Sequence, residues 1–480
     1  MSSNKITDEE INAIYSSGRE ATVSFIKFLV ERIDRLEAEL HQIKLQLSKD
    51  SHNSSKPPST DPPGKKKKPR SSRKKSGKKP GGQKGHTGFR LEQTAKPDEK
   101  KDVYPEGLCS CGKNLSLAET IDYIIRQTFG IILPRRFVTE YVGHVVLCSC
   151  GKIHDPVFPD GVNKEVQYDK SVKSLAVYLK HFDFLSYERL QEFFTDICGM
   201  HISQGSLVNF VRECGEFLQK PVELIKEKLI VAYLVHCDET GFRINGSRHW
   251  LHTTCTSELT YLYPHKNRGK KAMDEIGILP RFTGRVVHDH LASYYLYQNL
   301  THVLCNAHHL RELTLFEENG DKWATKLIKC LLDAKADIEK KGKLPKKRVD
   351  YYKMRFRRIT AEGLKQYPEN KKANGKRGRL KQSPQFNFLK RMKEKMNDVI
   401  RYISDPLVPF DNNQGERDIR MSKIQQKVSG CFRSMQGARD FCTIRSYLAS
   451  IRKNGQSVFR ALLSIWTDAI ILPNALYRFI

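Results

Sequence analysis

Three acidic residues stand where an enzyme acting on phosphodiesters would need them. Asp238 and Asp289 each end an apolar, strand-like run, and Glu416 opens an apparent helix. Attack on a phosphodiester builds charge on the entering and the leaving oxygen, and two Mg²⁺ ions about 4 Å apart stabilise both charges. Carboxylates from separate segments are ligands that Mg²⁺ prefers. The three acids therefore predict a two-metal site that cuts and joins DNA.

Each acid also has an ordinary structural explanation. Asp238 and Asp289 could be turn formers or caps at strand ends. Glu416 could close a capping box with Asn413 as the cap. The order of the acids in a strongly basic chain favours the catalytic interpretation. Glu239, the neighbour of Asp238, is expected to point elsewhere and to be secondary.

The spacing of apolar residues predicts the elements that hold these acids. Strands are expected at 231–237, 250–255, 259–263, 285–288 and 303–305, and a helix at 270–278. Asp238 then follows the first strand and Asp289 the fourth, in one mixed α/β sheet. We assign the catalytic core to 229–319 and 401–450, a basic helical insertion to 320–400 and a C-terminal helical segment to 451–480.

The charge of the chain indicates its partner. The 480 residues contain 83 Lys and Arg against 54 Asp and Glu, a net charge of +29. Such an excess is typical of proteins that bind a polyanion. Neither a long apolar stretch nor a secretory signal is recognisable, so a cytoplasmic, nucleoid-associated protein without membrane contact is expected. The 12 cysteines are then expected to be thiols or metal ligands.

The N-terminal region divides into a helix and a basic segment. Apolar residues from Ile26 to Leu47 recur at steps of three and four, which predicts a coiled coil within 1–50 and self-association. A helix packed on its own globular body is the alternative. Residues 51–100 are rich in Ser, Pro, Gly and Lys and are predicted to be a disordered basic linker. Its Lys78, Lys79 and Lys84 could follow DNA phosphates, or the segment could serve only as a solubilising linker.

Two further modules are predicted ahead of the core. The tetrapeptide Cys-Ser-Cys-Gly occurs twice, and four thiolates match tetrahedral Zn²⁺. Residues 101–160 are therefore predicted to be a small zinc-binding domain, with strand-like sequence from Tyr123 to Val146; unligated cysteines are the alternative. Residues 165–228 are helical, and Tyr187 to Val211 resembles a helix-turn-helix. DNA binding and a purely structural helix pair are both open for this segment.

Two groups of residues lie close to the acids in sequence. Arg420, Lys423 and Lys427 follow Glu416 at helical spacing, and Arg417 is its neighbour, so a basic face could contact DNA phosphates beside the metals. A solvated basic face is the alternative. Cys305 and His308 form a C-x-x-H pair after the fifth strand. Because no second matching pair is near in sequence, a structural or DNA-contacting role is favoured over zinc.

The strings around these residues resemble the core motifs of a known family. They are His236-Cys237-Asp238-Glu239-Thr240-Gly241, Val287 to Tyr295, Cys305-Asn306-Ala307-His308 and Asn412-Asn413-Gln414-Gly415-Glu416-Arg417. They look like those of the bacterial insertion-sequence family sixty-six transposases, over nearly the whole chain. The resemblance implies a DDE transposase with a ribonuclease-H-like core. It implies the catalytic, Mg²⁺-binding residues Asp238, Asp289 and Glu416 and the zinc ligands Cys109, Cys111, Cys148 and Cys150.

The sequence therefore predicts a multidomain α+β protein whose ribonuclease-H-like α/β core follows a coiled coil, a basic linker and a zinc-binding domain. We expect it to bind the terminal inverted repeats of an insertion sequence and to catalyse cleavage and strand transfer with Mg²⁺ or Mn²⁺. Structural Zn²⁺ is the second expected cofactor. The expected partners are element-end and target DNA, at least one further copy, and accessory proteins of the same element. A non-catalytic zinc-containing regulator or domesticated transposase is the alternative.

Overall fold

The computed structural model describes most of the chain as two compact units. The described residues are 7–54, 56, 61, 85, 92–103, 107–112, 114, 120–122, 124–129, 134, 136–159, 161–370, 380, 382–467 and 469–477, without the side chains of Ala38 and His41. The larger unit contains Met1–Ser72, Tyr141–Glu192 and Ile202–Ile480. The smaller unit contains Arg73–Glu140 and Phe193–His201.

Two helices open the larger unit. Helix α1 (Asp8–Ser16) begins with a capping box between Thr7 and Glu10, and α2 (Arg19–Leu47) carries the predicted heptad stripe. Six members of that stripe are more than half exposed: Ile26, Ile33, Leu36, Leu40, Ile43 and Leu47. An apolar stripe left in water favours a partner helix over packing on the chain's own body. The coiled coil stays a prediction.

The segment between the cysteine pairs differs from the sequence-based prediction. Strands β1 (Val146–Leu147) and β2 (Ile153–His154) form a short antiparallel hairpin. Of the described residues in 123–146, only Val146 lies in a strand, so the strand prediction is wrong for the others. Their apolar side chains, including Ile124 and Val138, are exposed rather than packed against a sheet.

Four more helices lie between the β1–β2 hairpin and the large sheet: α3 (Lys170–His181), α4 (Tyr187–Asp196), α5 (Gln204–Phe217) and α6 (Gln219–Ile230). Within the larger unit α3 packs against α5, and Lys173 and Glu213 form an ion pair of 2.9 Å between them. Helices α4 and α5 occupy the two helical positions of the predicted helix-turn-helix. The end of α4 and the loop after it belong to the smaller unit. DNA binding by this pair stays a prediction.

Five strands form one mixed sheet: β3 (Leu234–Ile244), β4 (Ser247–Cys255), β5 (Thr260–His265), β6 (Arg285–His288) and β7 (Thr301–Leu304). The order is β5-β4-β3-β6-β7, with antiparallel pairing from β3 to β5 and parallel pairing from β3 through β6 to β7. All five strands occur where the sequence predicted them, but β3 begins later and runs on to Ile244. Asn245 and Gly246 both have positive φ and form a tight turn after β3. This turn lets the second half of β3 pair with β4.

The remaining elements are helical. Helix α7 (Lys270–Ile276) lies between β5 and β6, and a 3₁₀ helix follows β6 at Ala292–Leu296. After β7 come α8 (Asn306–Glu318), α9 (Lys322–Lys341), α10 (Lys346–Gln366), α11 (Pro384–Glu394), α12 (Met396–Val399) and α13 (Arg401–Ser404). The chain then forms α14 (Asn413–Ser429), α15 (Met435–Lys453), α16 (Val458–Ser464) and α17 (Asn474–Tyr477). No described helix is long and apolar enough to cross a membrane.

Helices cover both faces of the sheet. Val286 of β6 belongs to an apolar core that includes residues of α6 and α15. The next residue, Val287, belongs to a second core with residues of α8 to α13. Consecutive strand residues point to opposite faces, so these two cores lie on opposite sides of the sheet. Helix α14 packs on β3 and β4, which places its first turn beside the acids of the sheet.

Candidate active site

The sheet brings Asp238 and Asp289 to neighbouring strands. Asp289 directly follows the last residue of β6. The pairing of β3 with β6 ends at His236, and Asp238 lies two residues beyond it. Because the two strands are parallel, both aspartates lie at the edge where that pairing stops. Asp238 does not end its strand, as the sequence had suggested, because β3 continues in register with β4.

Asn412 fixes the beginning of α14 on β3. Its side chain is 1% exposed and hydrogen-bonds to His236 Nδ1 and to the carbonyl oxygen of Cys237, both at 2.8 Å. Gly415 lies against this amide, and a Cβ there would stand 3.2 Å from Asn412 Oδ1. Asn412 and Gly415, which precede Glu416 in sequence, therefore fix the start of α14 against β3. This arrangement places Glu416 in the first turn of the helix.

The capping-box explanation of Glu416 is wrong. The N-cap of α14 is Asn412 rather than Asn413, and the helix has no side-chain capping hydrogen bond. Glu416 Oε1 is buried and has no hydrogen-bond partner among the described residues. The turn-former explanation of Asp289 holds in part, because its Oδ1 accepts from the Leu291 amide at 3.1 Å.

The electrostatics group the three predicted acids together. Burial raises the pKa of Asp238 well above its ordinary value, and the charges of Glu239, Asp289 and Glu416 raise it further. Carboxylates affect each other in this way only at short range. The side chains of Asp289 and Glu416 are 24% and 20% exposed, so solvent reaches them.

Glu239 and Arg268 add a pair that the sequence analysis did not assign to the site. Arg268 Nη2 lies 2.9 Å from Glu239 Oε1 and 3.5 Å from Asp289 Oδ2, and Tyr294 donates to Glu239 Oε2 at 2.9 Å. Burial, followed by Asp289, raises the pKa of Glu239 to about 7 against the opposing charge of Arg268. Arg268 lies in the loop after β5, where no sequence spacing links it to the acids.

The donor set fits a hard divalent cation. Arg268 and Tyr294 donate hydrogen bonds to Glu239, so Asp238, Asp289 and Glu416 are the candidate metal ligands. Burial and the neighbouring carboxylates raise the pKa of Asp238, and Glu416 Oε1 has no hydrogen-bond partner among the described residues. Carboxylate oxygens are the donors that Mg²⁺ and Mn²⁺ accept.

The C-x-x-H pair lies beside Glu416. Cys305 follows β7, and His308 stands in the first turn of α8. Their ligand atoms and a Glu416 oxygen all lie within 4.8 Å of one another. It is the one such group of three or more His, Cys, Asp or Glu in the part of the chain that the structure describes. The third member is distant in sequence, so spacing alone could not reveal it.

A basic groove lies further along β3 and α14. It has a volume of about 590 Å³ and is lined by Gly241, Phe242, Arg243, Arg248, Lys423, Gln426, Gly430 and Cys431. Lys423 donates to the carbonyl oxygen of Gly241, and Arg248 stacks on Trp250 at 4.6 Å. Burial and the neighbouring charge of Arg248 lower the pKa of Lys423. No acidic residue is among the lining residues, so an anion is the ligand that suits this groove.

The other predicted DNA contacts lie in different places. Arg417, Arg420 and Lys427 are exposed on α14, whereas Lys423 is folded against β3. Lys78, Lys79 and Lys84 lie outside the described residues. Their contact with DNA stays a prediction.

The two cysteine tetrapeptides form the same turn. In each, the glycine amide donates to the carbonyl oxygen of the first cysteine, at 2.8 Å for Cys109 and 2.9 Å for Cys148. Both glycines have φ of +81°. Hydrogen bonds from Cys111 and from Cys150 lower the pKa of the first thiol in each turn. One turn belongs to each compact unit, and the shared zinc ion stays a prediction.

Comparison with known proteins supplies the family. No curated protein matches the chain. Residues 4–92 match a family of unknown function (DUF6444), which covers α1, α2 and much of the basic segment. Residues 165–440 match the Transposase IS66 family, and this match includes Asp238, Asp289 and Glu416. Because it spans more than half of the chain, the protein belongs to the IS66 transposase family.

Proposed function

We propose that this transposase binds the terminal inverted repeats of its insertion sequence, cleaves DNA there and joins the freed ends to target DNA. The observation that carries the proposal is the grouping of Asp238, Asp289 and Glu416, in which the charges of Asp289 and Glu416, together with burial, raise the pKa of Asp238. The strand order supports a ribonuclease-H-like core. In such a sheet the first and fourth strands are neighbours, as β3 and β6 are.

Each residue has a defined task in this proposal. Bound Mg²⁺ or Mn²⁺ would supply charge stabilisation at the attacking and leaving oxygens. Asp238 and Asp289 hold the cations, and Glu416 completes the set. Asn412 keeps Glu416 at the edge of the sheet through its bonds to β3. Arg268 neutralises Glu239, so that this second buried carboxylate does not compete for the cations.

The basic groove lies at a distance that suits the same DNA molecule. Arg243 is five residues beyond Asp238, or about 16 Å along a strand. Lys423 is seven residues beyond Glu416, or about 10 Å along a helix. Successive phosphates on one DNA strand are separated by several ångströms, so the groove is a few nucleotides from the acids. We assign it to the backbone of the bound DNA.

The other modules complete the proposal. The exposed stripe of α2 would join two copies as a coiled coil, and the two cysteine turns would share a structural Zn²⁺. The helix pair α4 and α5 and the basic segment, including Lys78, Lys79 and Lys84, would contact the element ends. We also propose the domain boundaries that were predicted from the sequence.

Nicking of DNA that carries the element ends tests the proposal. Full-length protein with Mg²⁺ or Mn²⁺ is expected to nick such a duplex, and Asp289→Ala is expected to abolish nicking while end binding persists. Asp274→Asn is the matched control, because Asp274 is an exposed acid paired with Lys270 and lies outside the acid group. Nicking retained by Asp289→Ala would contradict the assignment. Binding without metal-dependent nicking by the unaltered protein would favour a non-catalytic regulator.

A further inference from the structure

Three residues from separate elements converge beside the acids and have no role in the proposed reaction as a set. They are Cys305, His308 and Glu416. Cys305 is buried at the end of β7, and the other two stand in the first turns of α8 and α14. The sulfur, a ring nitrogen and a carboxylate oxygen lie within 4.8 Å of one another.

Two atoms of this group are buried without hydrogen-bond partners among the described residues. They are His308 Nδ1 and Glu416 Oε1, which face each other at 3.9 Å. That separation is too long for a hydrogen bond. A buried polar atom left without a hydrogen bond is unfavourable, so a ligand between the two atoms would remove that penalty.

The surroundings of Cys305 suit a sulfur that binds metal. The backbone amide of Asn412 donates to Cys305 Sγ at 3.1 Å, and the His308 amide also hydrogen-bonds to it. Donors around a metal-bound ligand orient it and stabilise its charged form. The same Asn412 also holds α14 on β3, so sulfur and Glu416 are positioned by one residue.

We propose that Cys305 Sγ, His308 Nδ1 and Glu416 Oε1 bind a soft divalent cation of the Zn²⁺ class, with a fourth position open to water. Bonds of about 2.3 Å to sulfur and about 2.0–2.2 Å to nitrogen and oxygen place tetrahedral ligands roughly 3.5 Å apart. The 3.9 Å between His308 and Glu416 needs only a small closure. A thiolate and an imidazole select such an ion over Mg²⁺.

This proposal differs from the interpretation of the C-x-x-H pair made from the sequence, which stays open until the site is tested. The pair was expected to be structural or to contact DNA, because no second pair of ligands lies nearby in the chain. The third ligand instead comes from α14, more than a hundred residues later. A site of three protein ligands and one open position resembles the arrangement used when zinc keeps an exchangeable ligand.

The site predicts a regulatory effect that rests on the proposed function. Glu416 is also one of the proposed Mg²⁺ ligands, and a carboxylate held by Zn²⁺ at Cys305 is withdrawn from that role. Zn²⁺ is therefore expected to inhibit Mg²⁺-dependent cleavage. Cys305→Ala should relieve that inhibition.

Cobalt binding to the full-length, metal-free protein tests the site directly. Co²⁺ bound by a thiolate gives a sulfur-to-metal charge-transfer band, and the cysteine turns contribute equally to all proteins compared. Cys305→Ala is expected to lose one equivalent of Co²⁺ and its share of the band, and His308→Gln to weaken that equivalent at least tenfold. Cys330→Ala is the matched control, because Cys330 is also buried but belongs to α9. Equal stoichiometry and band intensity in Cys305→Ala and the unaltered protein would overturn the proposal.

Two further variants keep the outcomes separate. Should Cys305→Ala fail to fold, His308→Gln carries the test, and its unchanged cobalt affinity would overturn the proposal. In Asp238→Asn, which lacks a proposed Mg²⁺ ligand, the cobalt equivalent is expected to persist. Loss of one cobalt equivalent in Cys305→Ala, together with no cleavage by the unaltered protein, would refute the proposed function and support this site. Cleavage by the unaltered protein, with no loss of bound cobalt in Cys305→Ala, would support the proposed function and refute this site.

Discussion

The two halves of the β3–α14 pair carry opposite charge. At one end Asp238 and Glu416 gather with Asp289, and at the other Arg248 and Lys423 line the basic groove. The acidic end is partly buried, and side-chain hydrogen bonds through Asn412 hold it, whereas Arg248 in the groove is exposed. The same strand and helix thus position an acidic cluster and a basic groove.

The acidic end and the basic groove should respond differently to mutation. Metal ligands act together, so the loss of one is expected to remove the whole function of the acidic end. Phosphate contacts contribute separately, and each lost cation should weaken binding by a similar increment. A single substitution at the acidic end should therefore abolish cleavage, whereas each substitution in the basic groove should lower DNA affinity by one step.

The largest effect is expected at the acidic end of α14. Glu416→Gln should lower the cleavage rate at least about a thousandfold, because several kcal/mol of transition-state stabilisation depend on the bound metals. Its affinity for DNA should be unchanged or slightly higher, since one negative charge near the phosphates is lost. Single-turnover cleavage and fluorescence anisotropy measure the two quantities. A parallel fall in affinity and rate would mean that the two ends are not separable.

A smaller effect is expected at the basic groove. Replacing both Arg248 and Lys423 by alanine should reduce the slope of log affinity against log salt by about two, one per lost phosphate contact. Cleavage at saturating DNA should stay close to that of the unaltered protein.

The matched control for the groove removes two cations that already have acidic partners. Lys270 pairs with Asp274 and Arg281 with Glu227, so a double alanine variant of these should leave the salt slope unchanged. An equal decrease in both double variants would show that net charge, and not the groove, determines binding.

The smallest effect is expected on stability. The pKa of Asp238 is raised in the folded protein, whereas the pKa of an unfolded aspartate is about 4. Above about pH 4 the need to ionise this buried carboxyl therefore lowers the free energy of unfolding. In the presence of a metal chelator at pH 8, Asp238→Asn should raise the free energy of unfolding by about 1–2 kcal/mol. This is the size of effect expected for a buried polar group without a partner. The gain should disappear as pH falls below about 4, where the carboxyl becomes protonated in the unfolded state as well as in the folded one. Thermal unfolding at a series of pH values measures it.

Asp274→Asn is the control for stability. Hydrogen bonds from Lys270 and Tyr297 lower the pKa of Asp274, so its ionised form favours folding. The control should gain nothing at pH 8. A loss of stability in Asp238→Asn under the same conditions would contradict the electrostatic description of the acidic end.

The sequence was sufficient for the parts of the site that periodicity and order determine. Five strands, the helix that carries Glu416 and the order of the acids follow from apolar spacing, which reports burial directly. Asp238 was placed at a strand end because polar residues follow it. The structure continues β3 there, because pairing with β4 across the Asn245–Gly246 turn does not require apolar side chains.

The rest depended on contacts between distant segments. Arg268 reaches Glu239 from a loop, and Asn412 joins α14 to β3 through side-chain bonds that no local pattern encodes. Lys423 was expected on an open helix face, but its amine turns to a β3 carbonyl oxygen. The convergence of Cys305 and His308 on Glu416 likewise follows only from the packing of α8 beside α14.

Anomalous scattering from crystals soaked in Mn²⁺ tests the central claim most directly. We expect one or two Mn²⁺ peaks at about 2.1 Å from carboxylate oxygens of Asp238, Asp289 and Glu416. The peaks should be lost in Asp238→Asn crystals. Crystals of the unaltered protein with no Mn²⁺ between these carboxylates at saturating concentration, or peaks that persist in Asp238→Asn, would contradict a shared metal site.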